Sequence, residues 1–273
     1  MLEFNVLGPL EVRRKGASHT IYGACQRILL AALLAHEGQV ATREALMDEL
    51  WGTGRPESPD NALQADISRL RRQLAKLEPE HRRSRLRGHG AGYRLVLDDA
   101  EFDARTFIDS MREVDRHAPG WSPEQSVVRI RAAISRWRGQ AFAGVTGGRI
   151  CQGAHRRYEQ ARLRALESLF DAELQLGNHR LIVPELRELI GTYSPHQERF
   201  GEQLMISLYR SGRQAKALEI CRRVGKMLRD AGATPSGRLH ECEQAILRHD
   251  SRLAMPAPAV PIDRAGSLLR TTR

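Results

Sequence analysis

The sequence predicts a mainly α-helical protein in which only the first hundred residues also contain β-strands. Short β-prone runs at 3–7, 10–14 and 19–22 are separated by glycine-containing turns, which is typical of a small antiparallel sheet. Beyond residue 100 the strand patterns stop, and helical periodicity continues to residue 249. The helices are predicted at 102–117, 123–137, 154–176, 181–193, 197–210, 214–231 and 236–249. The expected fold class is therefore an α+β region followed by an all-α region.

Length and composition set the broad class of the protein. The 273 residues, 41% of them hydrophobic, suffice for two domains that each bury a core. No run of about 18 uncharged apolar residues occurs, and the N-terminus MLEFNVLGPLEV lacks the basic and apolar parts of a signal peptide. The cysteines at 25, 151, 221 and 242 form no C-x-x-C pair, which indicates reduced side chains. We therefore expect a cytoplasmic protein without a disulfide or zinc framework.

Positive charge is concentrated in one stretch of the chain. The formal net charge is +10 and the pI is about 10.1, which suggests a polyanionic partner. Residues 1–65 hold six Lys or Arg against eight Asp or Glu, whereas residues 66–94 hold nine against three. This polarity predicts a basic surface on the segment that follows residue 65.

The stretch from Ser58 to Lys76 predicts an amphipathic helix suited to the major groove of DNA. Four apolar residues share one stripe of the helix, at spacings of four, three and four: Leu63, Ile67, Leu70 and Leu74. The opposite face carries Asn61, Ala65, Ser68, Arg69, Arg72 and Lys76, with Gln64, Asp66 and Arg71 on the flanks. Amides and small side chains can approach base edges, and guanidinium groups reach guanine or phosphate. Taken alone, the same pattern also fits a solvated, arginine-rich helix.

The neighbouring segments favour the DNA-binding interpretation. An apolar helix is predicted at 26–36, and Thr42 is a suitable N-cap for a second helix over 43–51. After the basic stretch 81–87, GHGAG at 88–92 leads into YRLVL and predicts a β-hairpin. GHGAG lacks the G-x-x-x-x-G-K-[ST] pattern and precedes a strand, which disfavours a P-loop. A leading sheet, three helices and a hairpin are the order of a winged helix-turn-helix.

Two groups of motifs in this region resemble known regulators. ISRLRRQL at 67–74 and GAGYRL at 90–95 resemble the last helix and the wing of the OmpR/PhoB-type DNA-binding domain. NALQADISRLRRQL together with ALMDELWG resembles the Streptomyces antibiotic regulatory protein (SARP) family. Relatives more often carry an aromatic residue or His at the position of Asp66, where an acid would favour cytosine amino groups and repel phosphate. His89 stands near the place where an OmpR-type wing often has Arg for the minor groove, and a plain loop histidine is the alternative.

The candidate functional residues all belong to the helix and the hairpin, and all are assigned to DNA binding. They are Asn61, Gln64, Ala65, Ser68, Arg69, Arg71, Arg72, Lys76, Arg87, His89 and Arg94. No catalytic residue, cofactor or metal ligand is predicted, because the ten histidines form no H-E-x-x-H and the chain has no G-x-S-x-G. An enzyme is therefore the disfavoured class of function.

The second half of the chain predicts stacked helical hairpins. AELQLGNHRLIVPELRELI at 172–190 and ISLYRSGRQAKALEICRRV at 206–224 share a helix–glycine–helix plan, with Gly177 and Gly212 35 residues apart. This spacing is close to the tetratricopeptide (TPR) period of about 34, and such hairpins stack to bury their apolar faces. An irregular helical bundle is the alternative on spacing alone. The motifs SRWRGQAFAG, IVPELRELI and LMISLYRSGRQAKALE resemble the bacterial transcriptional activation domain of SARP proteins.

The expected organisation is a winged helix-turn-helix at 1–98, an all-α, TPR-like activation domain at 101–250 and a disordered tail at 251–273. The resemblance implies a sequence-specific transcriptional activator of a secondary-metabolite (antibiotic) gene cluster, acting in the cytoplasm at the nucleoid. The implied partners are promoter DNA with direct repeats, a second copy bound head-to-tail as a homodimer, and RNA polymerase holoenzyme. A repressor or a ligand-sensing regulatory adaptor with the same DNA-binding domain is the alternative.

Overall fold

The chain divides by its internal contacts into two compact units, Met1–Leu169 and Phe170–Arg273. The computed structural model describes residues 1–81, 83–118, 120–192 and 198–253. The division falls within a long helix rather than near residue 100, so the domain limits expected from the sequence remain a prediction. Of the tail expected at 251–273, Ser251–Leu253 form a 3-10 turn and the rest lies outside the described residues. In the described parts of the chain, no helix combines the length and apolar character that crossing a bilayer requires.

A four-stranded sheet opens the first unit, in the order β3-β2-β1-β7. The strands are β1 (Leu2–Asn5), β2 (Glu11–Arg14), β3 (Ala17–His19) and β7 (Glu101–Phe102). The first three are antiparallel, as the sequence predicts, although β3 starts two residues ahead of the run expected at 19–22. β7 pairs parallel to β1, with Phe4 opposite Phe102. Both phenylalanines are buried, so this sheet joins the start of the chain to the segment after residue 100.

β1 is shorter than the run expected at 3–7, because its last residues bond elsewhere. The N–H groups of Val6 and Leu7 donate to the carboxylate of Asp103 at 2.9 and 3.0 Å. Their carbonyl oxygens accept hydrogen bonds from main-chain N–H groups in the segment 138–142. Buried backbone groups need such partners, and here the partners lie about 100 or more residues away in the sequence. Local periodicity does not predict contacts between residues so far apart in the sequence.

Three helices and a second small sheet complete the winged helix-turn-helix. The elements are α1 (Ala24–Ala35), β4 (Ala41–Thr42), α2 (Arg43–Trp51), α3 (Pro59–Leu77), β5 (Leu86–His89) and β6 (Gly92–Leu95). α1 and α2 both pack against α3, and the antiparallel sheet has the order β4-β6-β5. Thr42 caps α2 by accepting a hydrogen bond of 3.2 Å from the N–H of Ala45, which confirms the predicted N-cap.

The rest of the first unit is helical and shares a core with the winged helix-turn-helix. It consists of α4 (Asp103–His117), α5 (Pro123–Ile134) and most of α6 (Arg149–Gln175). α5 ends three residues earlier than predicted, and α6 begins five residues earlier. Tyr158 of α6 is fully buried, and its hydroxyl donates a hydrogen bond of 2.9 Å to Glu37, just beyond α1. Residues 101–169 are thus packed with the first hundred.

The second unit consists of helical hairpins. It contains the end of α6 followed by α7 (His179–Thr192), α8 (Glu198–Arg210), α9 (Gln214–Asp230) and α10 (Gly237–Leu247). α8 contacts α7, α9 and α10, and α10 also contacts α9. Gly177 (φ 77°) and Gly212 (φ 72°) occupy the left-handed region that commonly ends a helix, at the two turns expected from the repeat spacing. The predicted class, a winged helix-turn-helix followed by TPR-like helices, is confirmed.

Candidate nucleic-acid interface

α3 is oriented by the apolar stripe that the sequence predicts. Leu63, Ile67, Leu70 and Leu74 are at most 3% exposed, in a helix that contacts both α1 and α2. Burial of one such side chain contributes on the order of 1.5–3 kcal/mol relative to exposure, so four of them strongly favour one rotation of the helix. The helical phase predicted from the sequence is confirmed, and the opposite face of α3 is left to solvent.

Most of the predicted DNA-binding residues lie on that open face. The exposed ones are Asn61, Gln64, Ala65, Ser68, Arg69, Arg72, Lys76 and His89. The half-buried ones are Arg71, Arg87 and Arg94. All the exposed residues except His89 belong to α3, and His89 lies at the end of β5 in the hairpin. The structure therefore brings the predicted set together on one helix and the adjoining hairpin, and its contact with DNA remains a prediction.

Asp66 faces α1 and not the open side of α3. It is 6% exposed, and its Oδ1 accepts hydrogen bonds from Nε2 of Gln26 (2.7 Å) and from Nη1 of Arg69 (2.8 Å). An acid facing DNA would favour cytosine amino groups and repel phosphate, but this carboxylate is buried against α1, so that expectation from the sequence is wrong. One helical step from the buried Ile67 turns residue 66 toward α1, where the amide of Gln26 provides a partner. The carboxylate is engaged inside the protein.

A second contact holds the same flank of α3 to the segment before α1. The side-chain amide of Gln73 accepts a hydrogen bond from the N–H of Tyr22 (2.8 Å) and donates one to the carbonyl of Tyr22 (2.9 Å). This reciprocal pair explains why residues 20–22 are not strand, since the backbone of Tyr22 bonds to a side chain of α3. The ring of Tyr22 remains 74% exposed. α3 is therefore anchored at two positions: residue 66 bonds to α1, and residue 73 bonds to the segment just before α1.

The other flank of α3 is anchored to the wing, which is the hairpin of β5 and β6. Arg71 is half-buried, and its Nε donates a hydrogen bond of 3.1 Å to the carbonyl of Leu86 at the start of β5. Arg87 likewise uses Nε on the carbonyl of Ser84, at 3.3 Å. Each guanidinium retains other N–H groups, since arginine carries five donors. Both arginines thus make a structural contact and keep donors for other partners.

The wing is tied to the start of α2 through a close approach of two backbones. The N–H of Arg43 donates a hydrogen bond of 3.0 Å to the carbonyl of Ala91 in the hairpin turn. A Cβ on Gly92 would lie 2.0 Å from the carbonyl oxygen of Ala41, so glycine is required where β6 pairs with β4. The glycine-rich run therefore serves packing of the wing, consistent with the disfavoured P-loop.

Arg85 contributes little to the basic surface, although it lies in the most positive stretch of the sequence. It is 4% exposed and donates hydrogen bonds to Glu78 (2.8 Å) and Asp99 (2.7 Å). Burial lowers the pKa of Arg85, but the hydrogen bonds and charges of these two carboxylates outweigh it, and the pKa is raised overall. The guanidinium charge is neutralised within the fold. The charge counted over residues 66–94 therefore overstates what this surface offers to a polyanion.

The chain matches two families of transcriptional regulators. Residues 23–95 match the family described as transcriptional regulatory protein, C terminal, and residues 102–247 match the bacterial transcriptional activator domain. The chain is also 34% identical over 265 residues to the regulatory protein DnrI of Streptomyces peucetius, covering 95% of this chain and 97% of that protein. The chain belongs to the Streptomyces antibiotic regulatory protein (SARP) family. The resemblance noted in its sequence motifs is confirmed.

Further similarities agree with membership of the SARP family. The chain is 34% identical over 269 residues to the transcriptional regulator RedD of Streptomyces coelicolor, covering 96% of this chain and 76% of that protein. A solved structure of Mycobacterium tuberculosis EmbR in complex with a low affinity phosphopeptide has a TM-score of 0.82 at 26% identity. That match covers 94% of this chain and 66% of the EmbR chain. This SARP protein is therefore a DNA-binding transcriptional regulator.

Three residues that orient α3 in this SARP protein were missed by sequence reasoning. Gln26 and Tyr22 lie 40 and 51 positions before their partners in α3. Gln73 lies on a flank of α3, where the apolar stripe does not predict whether a side chain is buried or exposed. The available signal was indirect. Gln26 is 6% exposed in a helix whose other buried residues are all apolar, and a buried polar residue needs a partner inside the fold.

Proposed function

We propose that the chain is a sequence-specific transcriptional activator of a secondary-metabolite (antibiotic) gene cluster. α3 reads direct repeats in the promoter from the major groove, and the helical part recruits RNA polymerase holoenzyme. Two copies bind head-to-tail as a homodimer on DNA, and the protein acts at the nucleoid. The observation that carries the proposal is the open face of α3, which has amides and small side chains in its first half and basic side chains in its second.

The chemistry of this face supports base reading. Asn61 and Gln64 carry amides near the N-terminal end, and an amide can pair in a bidentate manner with adenine. Ala65 and Ser68 are small enough to let the helix approach the floor of the groove. Arg69 follows, and a guanidinium can pair with the two acceptors of guanine. α3 has 19 residues, or roughly 28 Å at 1.5 Å per residue, which is long enough to lie across the groove.

The wing supports a second contact beside the recognition helix. His89 is exposed at the end of β5, while Arg87 and Arg94 are half-buried in the paired strands. β6 pairs with β4, and the N–H of Arg43 bonds to Ala91 in the hairpin turn, so the hairpin is held against the helical core. We assign these three wing residues to phosphate or minor-groove contacts, which position the protein without reading much sequence.

The second half of the chain supports the recruitment role. Residues 101–250 hold 24 Lys or Arg against 19 Asp or Glu, so their excess of positive charge is spread over a much longer stretch than that of residues 66–94. Their match to the bacterial transcriptional activator domain favours contact with the transcription machinery rather than with DNA. Membership of the SARP family supports the proposed homodimer and its binding to direct repeats.

Footprinting of the purified chain on the intergenic regions of its own gene neighbourhood tests the DNA-binding part. The expected result is protection of two or more similar sequences in the same orientation, at a salt concentration that suppresses non-specific binding. Protection without a shared sequence would contradict sequence-specific reading. Protection of an inverted pair would contradict the head-to-tail arrangement.

Transcription from the footprinted promoter, with purified RNA polymerase holoenzyme, tests the activation part. The full chain is expected to raise the yield of transcript, whereas a fragment of residues 1–169 is expected to bind the same sites without raising it. This fragment keeps α4, α5 and most of α6, which pack on the winged helix-turn-helix. A full chain that lowers transcription supports the repressor alternative. Stimulation that depends on an added metabolite supports the ligand-sensing alternative.

A further inference from the structure

Arg69 is held by a carboxylate before any DNA is present. Its Nη1 donates a hydrogen bond of 2.8 Å to Oδ1 of Asp66, one turn earlier on α3. The side chain of Arg69 is still 59% exposed, whereas that of Asp66 is 9% exposed. A free arginine side chain samples many rotamers, and ordering it on binding has an entropic cost. The contact with Asp66 lowers that cost by selecting an orientation in advance.

Asp66 is itself anchored from a different helix. Gln26 of α1, which is 6% exposed, donates a hydrogen bond of 2.7 Å from Nε2 to the same Oδ1. The three side chains therefore form a chain of hydrogen bonds that begins in the core at Gln26 and ends at the open face with Arg69. Because Gln26 belongs to α1, the orientation of Arg69 depends on how α1 packs against α3 and not only on α3 itself.

The geometry points to Asp66 as a positioning residue that, anchored by Gln26, holds the guanidinium of Arg69 in the orientation that reads one base pair. The inference rests on the proposed function, namely that α3 reads promoter DNA. Arginine has five N–H donors, and the contact with Asp66 uses one on Nη1, which leaves others for a bidentate pair with O6 and N7 of guanine. The partner of the oriented arginine is therefore a G·C pair.

The test compares Asp66→Ala with Arg69→Ala in the full chain. Dissociation constants are measured for the footprinted site, for duplexes in which each base pair is changed in turn, and for an unrelated duplex. Loss of a bidentate pair costs about 1–3 kcal/mol of discrimination, or roughly 5- to 150-fold, at one position. Asp66→Ala is expected to lower discrimination at that same position by about fivefold or more. Binding to the unrelated duplex should change little, because the buried Asp66 contacts Gln26 and Arg69 and not a phosphate.

Two further variants separate positioning from a general loss of structure. The double variant Asp66→Ala/Arg69→Ala should discriminate no worse than Arg69→Ala alone, because the two residues act through one contact. The matched control is Gln73→Ala, which releases the contact between α3 and Tyr22 without touching the pair of Asp66 and Arg69. It is expected to weaken all duplexes by the same factor. Asp66→Asn keeps an oxygen acceptor and should retain most of the discrimination.

The outcomes distinguish this inference from the proposed function. If Arg69→Ala leaves discrimination unchanged at every position, base reading by Arg69 fails and the inference fails with it. If Arg69→Ala flattens one position and Asp66→Ala does not, only the positioning inference is overturned. A uniform loss on all duplexes, additive with Arg69→Ala, also overturns it, as does an Asp66→Asn variant as indiscriminate as Asp66→Ala. If Asp66→Ala does not fold, Gln26→Met removes the anchor at similar volume, and unchanged discrimination in that variant overturns the inference.

Discussion

Glu49 and Cys151 are joined by a hydrogen bond across 102 positions of sequence. Oε1 of Glu49, near the end of α2, accepts from the N–H of Cys151 at 3.0 Å, and Oε2 accepts from the N–H of Ile150 at 2.7 Å. Glu49 is 4% exposed, so a buried carboxylate satisfies the first N–H groups of α6 and lies at the positive end of its dipole. Burial raises the pKa of the Cys151 thiol, and the nearby Glu49 carboxylate raises it further, so the thiol stays protonated at neutral pH. The winged helix-turn-helix is therefore joined to α6 by a buried contact.

Removal of this cap should destabilise the chain. Glu49→Ala leaves two N–H groups of α6 without their acceptor in a buried place, and we expect it to lower the free energy of unfolding of the first unit by about 2–4 kcal/mol. The matched control is Glu44→Ala on the same helix, because Glu44 is an exposed partner of Arg55. Urea unfolding should show a much smaller loss for the control. Equal midpoints for the two variants would contradict a stabilising role of the cap.

The core beneath α3 should be sensitive to truncation at Leu70. The side chain is fully buried, and Leu70→Ala should lower the free energy of unfolding by about 2–5 kcal/mol through lost burial and the cavity left behind. Ser68→Ala, on the open face of the same helix, is the control and should change stability by about 0.5 kcal/mol or less. Thermal unfolding of both variants measures the difference. Unchanged stability in Leu70→Ala would mean that α3 packs with another phase in solution.

Lys76 should contribute charge and little sequence preference. It is exposed in the last turn of α3, beyond the amides and Arg69, and an ammonium acts on phosphate as a point charge. Lys76→Ala is expected to weaken binding to all duplexes alike and to reduce the slope of log affinity against log salt by about one. Lys216→Ala, at an exposed position of α9, should leave the slope unchanged. Loss of preference at a single base pair in Lys76→Ala would instead place this lysine on a base edge.

The spacing of the two promoter repeats should matter through the helical phase of DNA. Protomers bound head-to-tail on one face require repeats separated by about one turn, roughly 10–10.5 base pairs. Insertion of half a turn between the repeats should sharply reduce cooperative binding and transcription. Insertion of a full turn restores the phase and serves as the control, with a smaller loss expected. Tolerance of the half-turn insertion would show that the protomers bind independently.

The sequence by itself determined those features that depend on near neighbours. The burial of Leu63, Ile67, Leu70 and Leu74 follows from a spacing within one helix, and the N-cap at Thr42 follows from the residue type ahead of a helical run. The hairpin and the helix-ending glycines are likewise local, because a turn needs particular backbone angles at one or two residues. The open face of α3, and with it the candidate DNA-binding set, is the complement of the buried stripe. The family motifs added the functional meaning.

The tertiary structure alone decided which polar residues on the flanks of α3 are engaged. Asp66 bonds to Gln26, 40 positions away, and Arg71 bonds to the carbonyl of Leu86; the spacing of residues within α3 predicts neither contact. Arg85 adds to the positive charge of the sequence, but in the fold it forms a buried pair with Glu78. The contact of Glu49 with α6 is likewise not predicted by any local pattern in the sequence. A hydrogen bond depends on a distance of about 3 Å and on direction. Between residues far apart in sequence, this distance and direction are set by how whole helices and strands pack together. Hydrophobic periodicity predicts only which face of a helix or strand is buried.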